Sequence, residues 1–237
     1  MSGFAQIVFG GILCLVLSIS FVASLYIWEQ FDPKLKRFNR DNPRVIKLRT
    51  ISVVSVSIFI CCITYVYCGH MRIGATSVRL LAMTFGQICC LMLGPIVDQW
   101  SRMRSFPQLN LLFARTVLIA PIFEELVFRQ CFHDILVASG YSDLASIFFA
   151  PFLFSLAHIH HYLGSKNVAQ ILVQVAHTCI FGWIGGYLLV TRSLWDAILA
   201  HALCNYIGLP SNGIESLSIR VSLYAVGLVT FLGSIFL

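Results

Sequence analysis

Apolar runs of about twenty residues, separated by short polar loops, recur along the whole chain. A helix rising 1.5 Å per residue needs about 20 such residues to cross a bilayer. By that rule spans are expected at residues 4–28, 50–69, 80–97, 117–137, 144–163, 168–191, 194–209 and 221–237. Two of the eight depart from the pattern. The fourth carries Glu124, Glu125, Arg129 and Asp134, and the seventh is short and carries His201. The first run lacks a basic leader and exceeds the apolar core of a signal peptide, about 7–15 residues. It reads as a retained span.

Composition agrees with this pattern. The chain is 58% hydrophobic and 11% charged, whereas soluble domains carry about 25% charged residues. No polar stretch is long enough for a second, soluble domain. The expected fold is therefore one all-α integral membrane domain over residues 1–237, a polytopic bundle of about eight transmembrane helices. Nine cysteines lie mostly in apolar runs without a CxxC pair and read as small packing residues.

Charge supplies topology. The net charge of +6 does not call for a nucleic-acid partner, because basic residues in membrane proteins first report orientation. Residues 29–49 hold Lys34, Lys36, Arg37, Arg40, Arg44, Lys47 and Arg49. With this loop in the cytoplasm, alternation also puts Arg102, Arg104, Arg115, Lys166 and Arg220 there. Only Arg72, Arg79 and Arg192 fall on the far side. The basic loop serves orientation first, with contact to anionic membrane lipid as a secondary role.

An ionised side chain at the bilayer centre costs about 3 kcal/mol on insertion scales, so the intramembrane polar residues carry the most information. Glu124 lies seven residues inside the fourth span, about 10 Å deep. His158, His201 and Asn205 lie five, eight and four residues from the cytoplasmic ends of their spans. Loop charge alone thus brings four polar residues to one depth. Residues four apart share a helix face, which pairs Glu125 with Arg129, His201 with Asn205, and Phe154 with His158. Glu124 lies about 100° around from Glu125, so Arg129 can hold one carboxylate while the other faces a cavity. Phe154 could wall that cavity. Pro121 and Pro151 precede these sites, and each frees a helix carbonyl and opens room for water. Simpler roles suit the other polar residues: His160, His161 and Tyr162 at the interface, Gln174 and His177 as interhelical hydrogen-bonding groups, and Asp134 and Asp196 solvated near span ends.

No GxSxG or HExxH motif is present, which removes two common hydrolytic arrangements. A carboxylate shielded from bulk water can act as a general base toward water, and a nearby histidine can orient that water. A neutral histidine and an asparagine one turn apart offer two donors for an oxyanion. The set fits amide hydrolysis in the cytoplasmic half of the membrane. Glu124, His158 and His201 also match a His₂Glu zinc site, and the residues alone leave both readings open. Intramembrane Glu and His could equally relay protons in a transporter, although no internal repeat supports that.

Three motifs, Glu124-Glu125-Leu-Val-Phe-Arg129, Phe154-Ser-Leu-Ala-His158 and His201-Ala-Leu-Cys-Asn205, occur in order on separate predicted spans. They resemble the EExxxR, FxxxH and HxxxN motifs of the type II CAAX prenyl endopeptidases, the Ras-converting enzyme family within the intramembrane glutamate protease and bacteriocin-immunity superfamily. The resemblance covers about residues 120–210, within a motif-bearing core of about 117–210. His158-Ile-His-His161 and Gly208-Leu-Pro210 look like the eukaryotic branch. The resemblance implies that Glu124 activates water with help from His158, that His201 and Asn205 stabilise the oxyanion, and that Glu125 and Arg129 support them, without a cofactor. It implies removal of the C-terminal tripeptide from prenylated CAAX proteins such as small GTPases, farnesylated or geranylgeranylated. The expected location is the endoplasmic reticulum membrane, with the site opening toward the cytoplasm. A non-catalytic binding or scaffold role, as in other branches of the superfamily, is the alternative.

Overall fold

A computed structural model describes residues 3–37, 41–100, 108–157, 168–208, 214 and 216–235. Among these the regular structure is helical, with no strand. The principal helices are α1 (Gly3–Ser24), α2 (Pro43–Cys68), α3 (Val78–Leu91), α4 (Leu93–Asp98), α5 (residues 111–138), α6 (Asp143–Ala157), α7 (Val168–Thr191), α8 (Leu194–Ile207) and α9 (Leu217–Ile235). Of these, α1, α2 and α9 are long and apolar enough by themselves to cross a membrane. Their outer faces carry exposed apolar side chains such as Phe4, Val66 and Val229, as expected where the solvent is lipid rather than water.

Local signals explain most helix ends. The Asn42 side chain accepts from the Arg44 N–H, with Pro43 at the first helical position, and starts α2. Such a cap satisfies an orphan N–H that the helix itself cannot. Gly69, at φ 76°, ends α2 in the left-handed conformation, which glycine adopts without steric cost. Ser77, Asn110 and Ser193 cap α3, α5 and α8 in the same side-chain manner. The Asn110 cap starts α5 six residues before the predicted span.

The third predicted span is not one helix. It breaks at Met92, between α3 and α4. Pro95 supplies the cause, because its ring clashes with the carbonyl four residues earlier, that of Leu91.

Helix α5 is continuous but not uniform. Its segments Ala114–Ile119 and Leu126–Cys131 are π-helical and flank the α-helical Ala120–Glu125. In π-helix each N–H bonds the carbonyl five residues back, and such segments gather at functional sites. Cys14, Phe21, Ile60, Phe128, Phe132 and Leu153 form the main buried cluster, which joins α1, α2 and α6 to α5. A second cluster around Ile88, Leu188, Ala200 and Phe231 joins α3, α7, α8 and α9. Helices α6 and α7 approach closely where Gly182 faces Pro151: a Cβ on Gly182 would lie 2.5 Å from the proline Cβ.

Asp134 and Asp196, expected to be solvated, are buried instead. Asp196 accepts hydrogen bonds from Thr76, Thr84 and Ser193 hydroxyls at 2.9, 2.6 and 2.7 Å. Arg192 joins this network by donating to Thr84 and to Gln87, at 2.5 and 2.7 Å. Asp134 accepts from the Gln130 amide at 2.9 Å and from the Arg72 backbone N–H at 3.2 Å. These donors replace water, which lets both carboxylates leave solvent.

The basic loop is partly neutralised by its own acids. Arg44 pairs with Asp32 at 3.0 Å and Arg49 with Glu29 at 3.7 Å. Arg115, in the first turns of α5, pairs with Asp41 at 2.9 Å. Arg40, Arg102, Arg104 and Lys166 lie outside the described residues.

Candidate active site

The acidic pair and the HxxxN motif meet between α5 and α8. Glu125 is 1% exposed and uses both carboxylate oxygens. Its Oε2 lies 3.1 Å from Arg129 Nε, and its Oε1 accepts from His201 Nδ1 at 2.7 Å. The arginine contact is an ion pair at short range that lacks hydrogen-bond alignment. Arg129 is buried as well, and its Cζ lies 4.5 Å from the centre of the Phe154 ring. A guanidinium over an aromatic face gains about 0.5–2 kcal/mol. Phe154 in turn packs on Phe128, with ring centres 4.7 Å apart.

Glu124 differs from its neighbour. Its side chain is 23% exposed, and its Oε2 lies 3.8 Å from His201 Nε2. That separation is too long for a direct hydrogen bond and suits a bridging water. His201 therefore stands between the two carboxylates, touching one and facing the other. With Nδ1–H given to Glu125, Nε2 accepts a hydrogen bond when the ring is neutral, and donates one only when both nitrogens are protonated. Donation from Nε2 therefore calls for the doubly protonated ring. Phe181 of α7 packs edge-on against the His201 ring, with centroids 6.2 Å apart.

Asn205, one turn beyond His201, donates from Nδ2 to the backbone carbonyl of Thr116 at 2.9 Å. The structure thus brings Glu124, Glu125, Arg129, His201 and Asn205 together between α5 and α8, with Phe154 of α6 packed behind Arg129. His158 lies outside the described residues, as do His160, His161, Tyr162 and the Gln174 side chain. His177 is exposed on α7 and stacks on Phe181 of its own helix. Among the described residues no group of three or more His, Cys, Asp or Glu is arranged to hold a metal.

Three contributors have no motif of their own: Thr116, Phe181 and Gly185. A Cβ on Gly185 would lie 3.2 Å from both Glu125 Oε2 and Arg129 Nε. A Cβ here would press on the ion pair, so glycine lets α7 close over it without displacing either partner. The available signal was glycine inside an apolar span, a mark of close helix approach. Thr116 acts through its backbone, which no residue-type pattern reports.

These features define a helical membrane protein with a carboxylate–histidine site between two of its helices. The chain belongs to the type II CAAX prenyl endopeptidase family: the Rce1-like family pattern matches residues 106–207, and similarity to family members extends further. A Schizosaccharomyces pombe protein named probable CAAX prenyl protease 2 is 33% identical over 211 residues, covering 81% of this chain and 78% of its own. The human CAAX prenyl protease 2 is 28% identical over 242 residues, covering 84% and 70%. The Arabidopsis thaliana protein of that name is 39% identical over 106 residues, covering 40% and 34%. No solved structure matches the chain.

Proposed function

We propose that this protein is an intramembrane endopeptidase that removes the C-terminal tripeptide from prenylated CAAX proteins, small GTPases among them. The observation that carries the mechanism is the unequal use of the acidic pair. Glu125 is buried and held by Arg129 and His201, while Glu124 stays partly open and faces His201 Nε2 across 3.8 Å. A buried carboxylate held by an arginine and a histidine is out of reach of water, whereas an open one beside a histidine can take a proton from it. Family membership supports the substrate class, and the names of the relatives support the reaction.

In this reading a water sits between Glu124 and His201. Glu124 removes its proton as the oxygen attacks the carbonyl carbon of the prenylated cysteine. His201 and Asn205 stabilise the tetrahedral oxyanion, with His201 donating from Nε2 in its doubly protonated form. When the C–N bond breaks, the proton held by Glu124 passes to the leaving amine, assisted by His158. Glu125 and Arg129 hold His201 in its orientation, and Phe154 backs the arginine. The chain is read as one domain of about eight spans in the endoplasmic reticulum membrane, its site opening to the cytoplasm. There a prenyl chain would bring a substrate C-terminus to the bilayer surface.

The test is release of the tripeptide from a farnesylated CAAX peptide by purified protein in liposomes. The wild-type protein releases it. Full activity after Glu124→Ala would refute Glu124 as the base, and no release by the wild-type protein would favour a binding role.

A further inference from the structure

The carbonyl that holds Asn205 is available because two local donors are withheld from it. In α-helix the Thr116 carbonyl would accept from the N–H of residue 120. Residues 114–119 are π-helical, however, and the Ala120 N–H bonds the Arg115 carbonyl instead. The π register next assigns the Thr116 carbonyl to residue 121. That residue is proline, buried and without an N–H. A carbonyl freed by proline inside a membrane helix must find another donor, and Asn205 Nδ2 supplies it at 2.9 Å.

We propose that Pro121 is a positioning residue for Asn205. By withholding its N–H it reserves the Thr116 carbonyl for the asparagine. A carbonyl can only accept, so the contact decides which end of the amide is nitrogen and which is oxygen. One N–H of Nδ2 is held by Thr116, and the second is left to donate to the substrate oxyanion. Asn205 and Thr116 sit on different helices, so the same bond fixes the register of α8 against α5. The effect on turnover rests on the oxyanion role of Asn205 given above; the effect on the bond itself does not.

The experiment separates the N–H of residue 121 from its side chain. Two forms of the 237-residue chain in liposomes are compared: Pro121→Ala, which restores an N–H, and a form with lactic acid in place of Pro121. Lactic acid has the alanine methyl but an ester oxygen instead of N–H. Turnover of a farnesylated CAAX peptide should fall about tenfold or more in kcat in Pro121→Ala, a partial form of losing an oxyanion donor. KM should change little. The lactic acid form should stay within about threefold of wild type on the same reasoning. In parallel, the side-chain amide proton of Asn205 is followed by NMR. Its hydrogen-bonded shift should be lost in Pro121→Ala and kept in the lactic acid form.

Should Pro121→Ala fail to fold, 2-hydroxyisovaleric acid in place of Val117 turns the Thr116 carbonyl into a weaker ester acceptor. The Asn205 amide proton should then move toward its unbonded shift. Equal amide shifts in the two Pro121 forms, or an unmoved shift in the ester form, would overturn the proposal. Full activity of Asn205→Ala would instead refute the oxyanion role and leave the NMR comparison to decide the role of Pro121.

Discussion

His201 Nδ1 lies 2.7 Å from Glu125 Oε1, while the other oxygen of Glu125 lies 3.1 Å from Arg129. One buried carboxylate thus links the EExxxR motif on α5 to the HxxxN motif on α8. It aims the histidine as well as balancing the arginine.

Glu125→Ala should therefore fail in two ways. Breaking a buried pair by removing one partner costs about 3–5 kcal/mol, which should appear in thermal unfolding of the purified protein in detergent. Converting both partners, Glu125→Leu with Arg129→Met, should recover at least half of that stability. Tripeptide release should stay low in both, because His201 has lost its orienting partner. Recovered activity in the double variant would show that Glu125 only balances charge.

Glu124→Ala should show the opposite profile. The side chain is partly open and makes no close ion pair, so stability should change by less than about 1 kcal/mol. Peptide release should fall by about 10²–10⁴, the usual contribution of a general base. Unfolding curves and turnover measured on one preparation separate the neighbours.

Gly185→Ala should disturb the site from a third helix. Its Cβ would meet Glu125 Oε2 and Arg129 Nε at 3.2 Å, and overpacking of this kind costs about 1–3 kcal/mol. The displaced ion pair should turn His201 and lower kcat more than it raises KM. Steady-state kinetics on the farnesylated peptide reads this directly.

Asp196→Ala should destabilise without touching the chemistry. It strands the hydroxyls of Thr76, Thr84 and Ser193, which donate to that carboxylate. A buried donor left unpaired costs about 1–3 kcal/mol. The unfolding midpoint should drop while kcat per folded molecule is kept.

Prolonged treatment with strong chelators should leave tripeptide release unchanged if Glu124 activates water unaided. A complete loss reversed by zinc would instead favour a His₂Glu site.

Much of this was legible in the chain because it depends on spacing. Glu125 and Arg129 are four apart, and so are His201 and Asn205. The helical membrane bundle follows from the apolar runs. The π segments were not legible. No residue type or spacing in 114–131 marks the wider turns. Counting in α-helical steps assigns the carbonyl freed by Pro121 to Val117, four residues earlier; the π register moves it to Thr116. The break at Met92 could have been read from Pro95. The burial of Asp134 and Asp196 could not, since each also takes a donor from far along the chain, Arg72 for Asp134 and Thr84 for Asp196.

The two π segments have a rotational consequence. An α-helix turns 100° per residue, so one additional residue absorbed in a wider turn rotates everything beyond it by about that angle. Ala120–Glu125 lies between two such turns. Its azimuth can therefore differ from that of both flanks within one continuous helix. The C-terminal flank keeps the face that buries Phe132 and Leu136. The six residues between the two wider turns are free to take the heading that the acid pair requires.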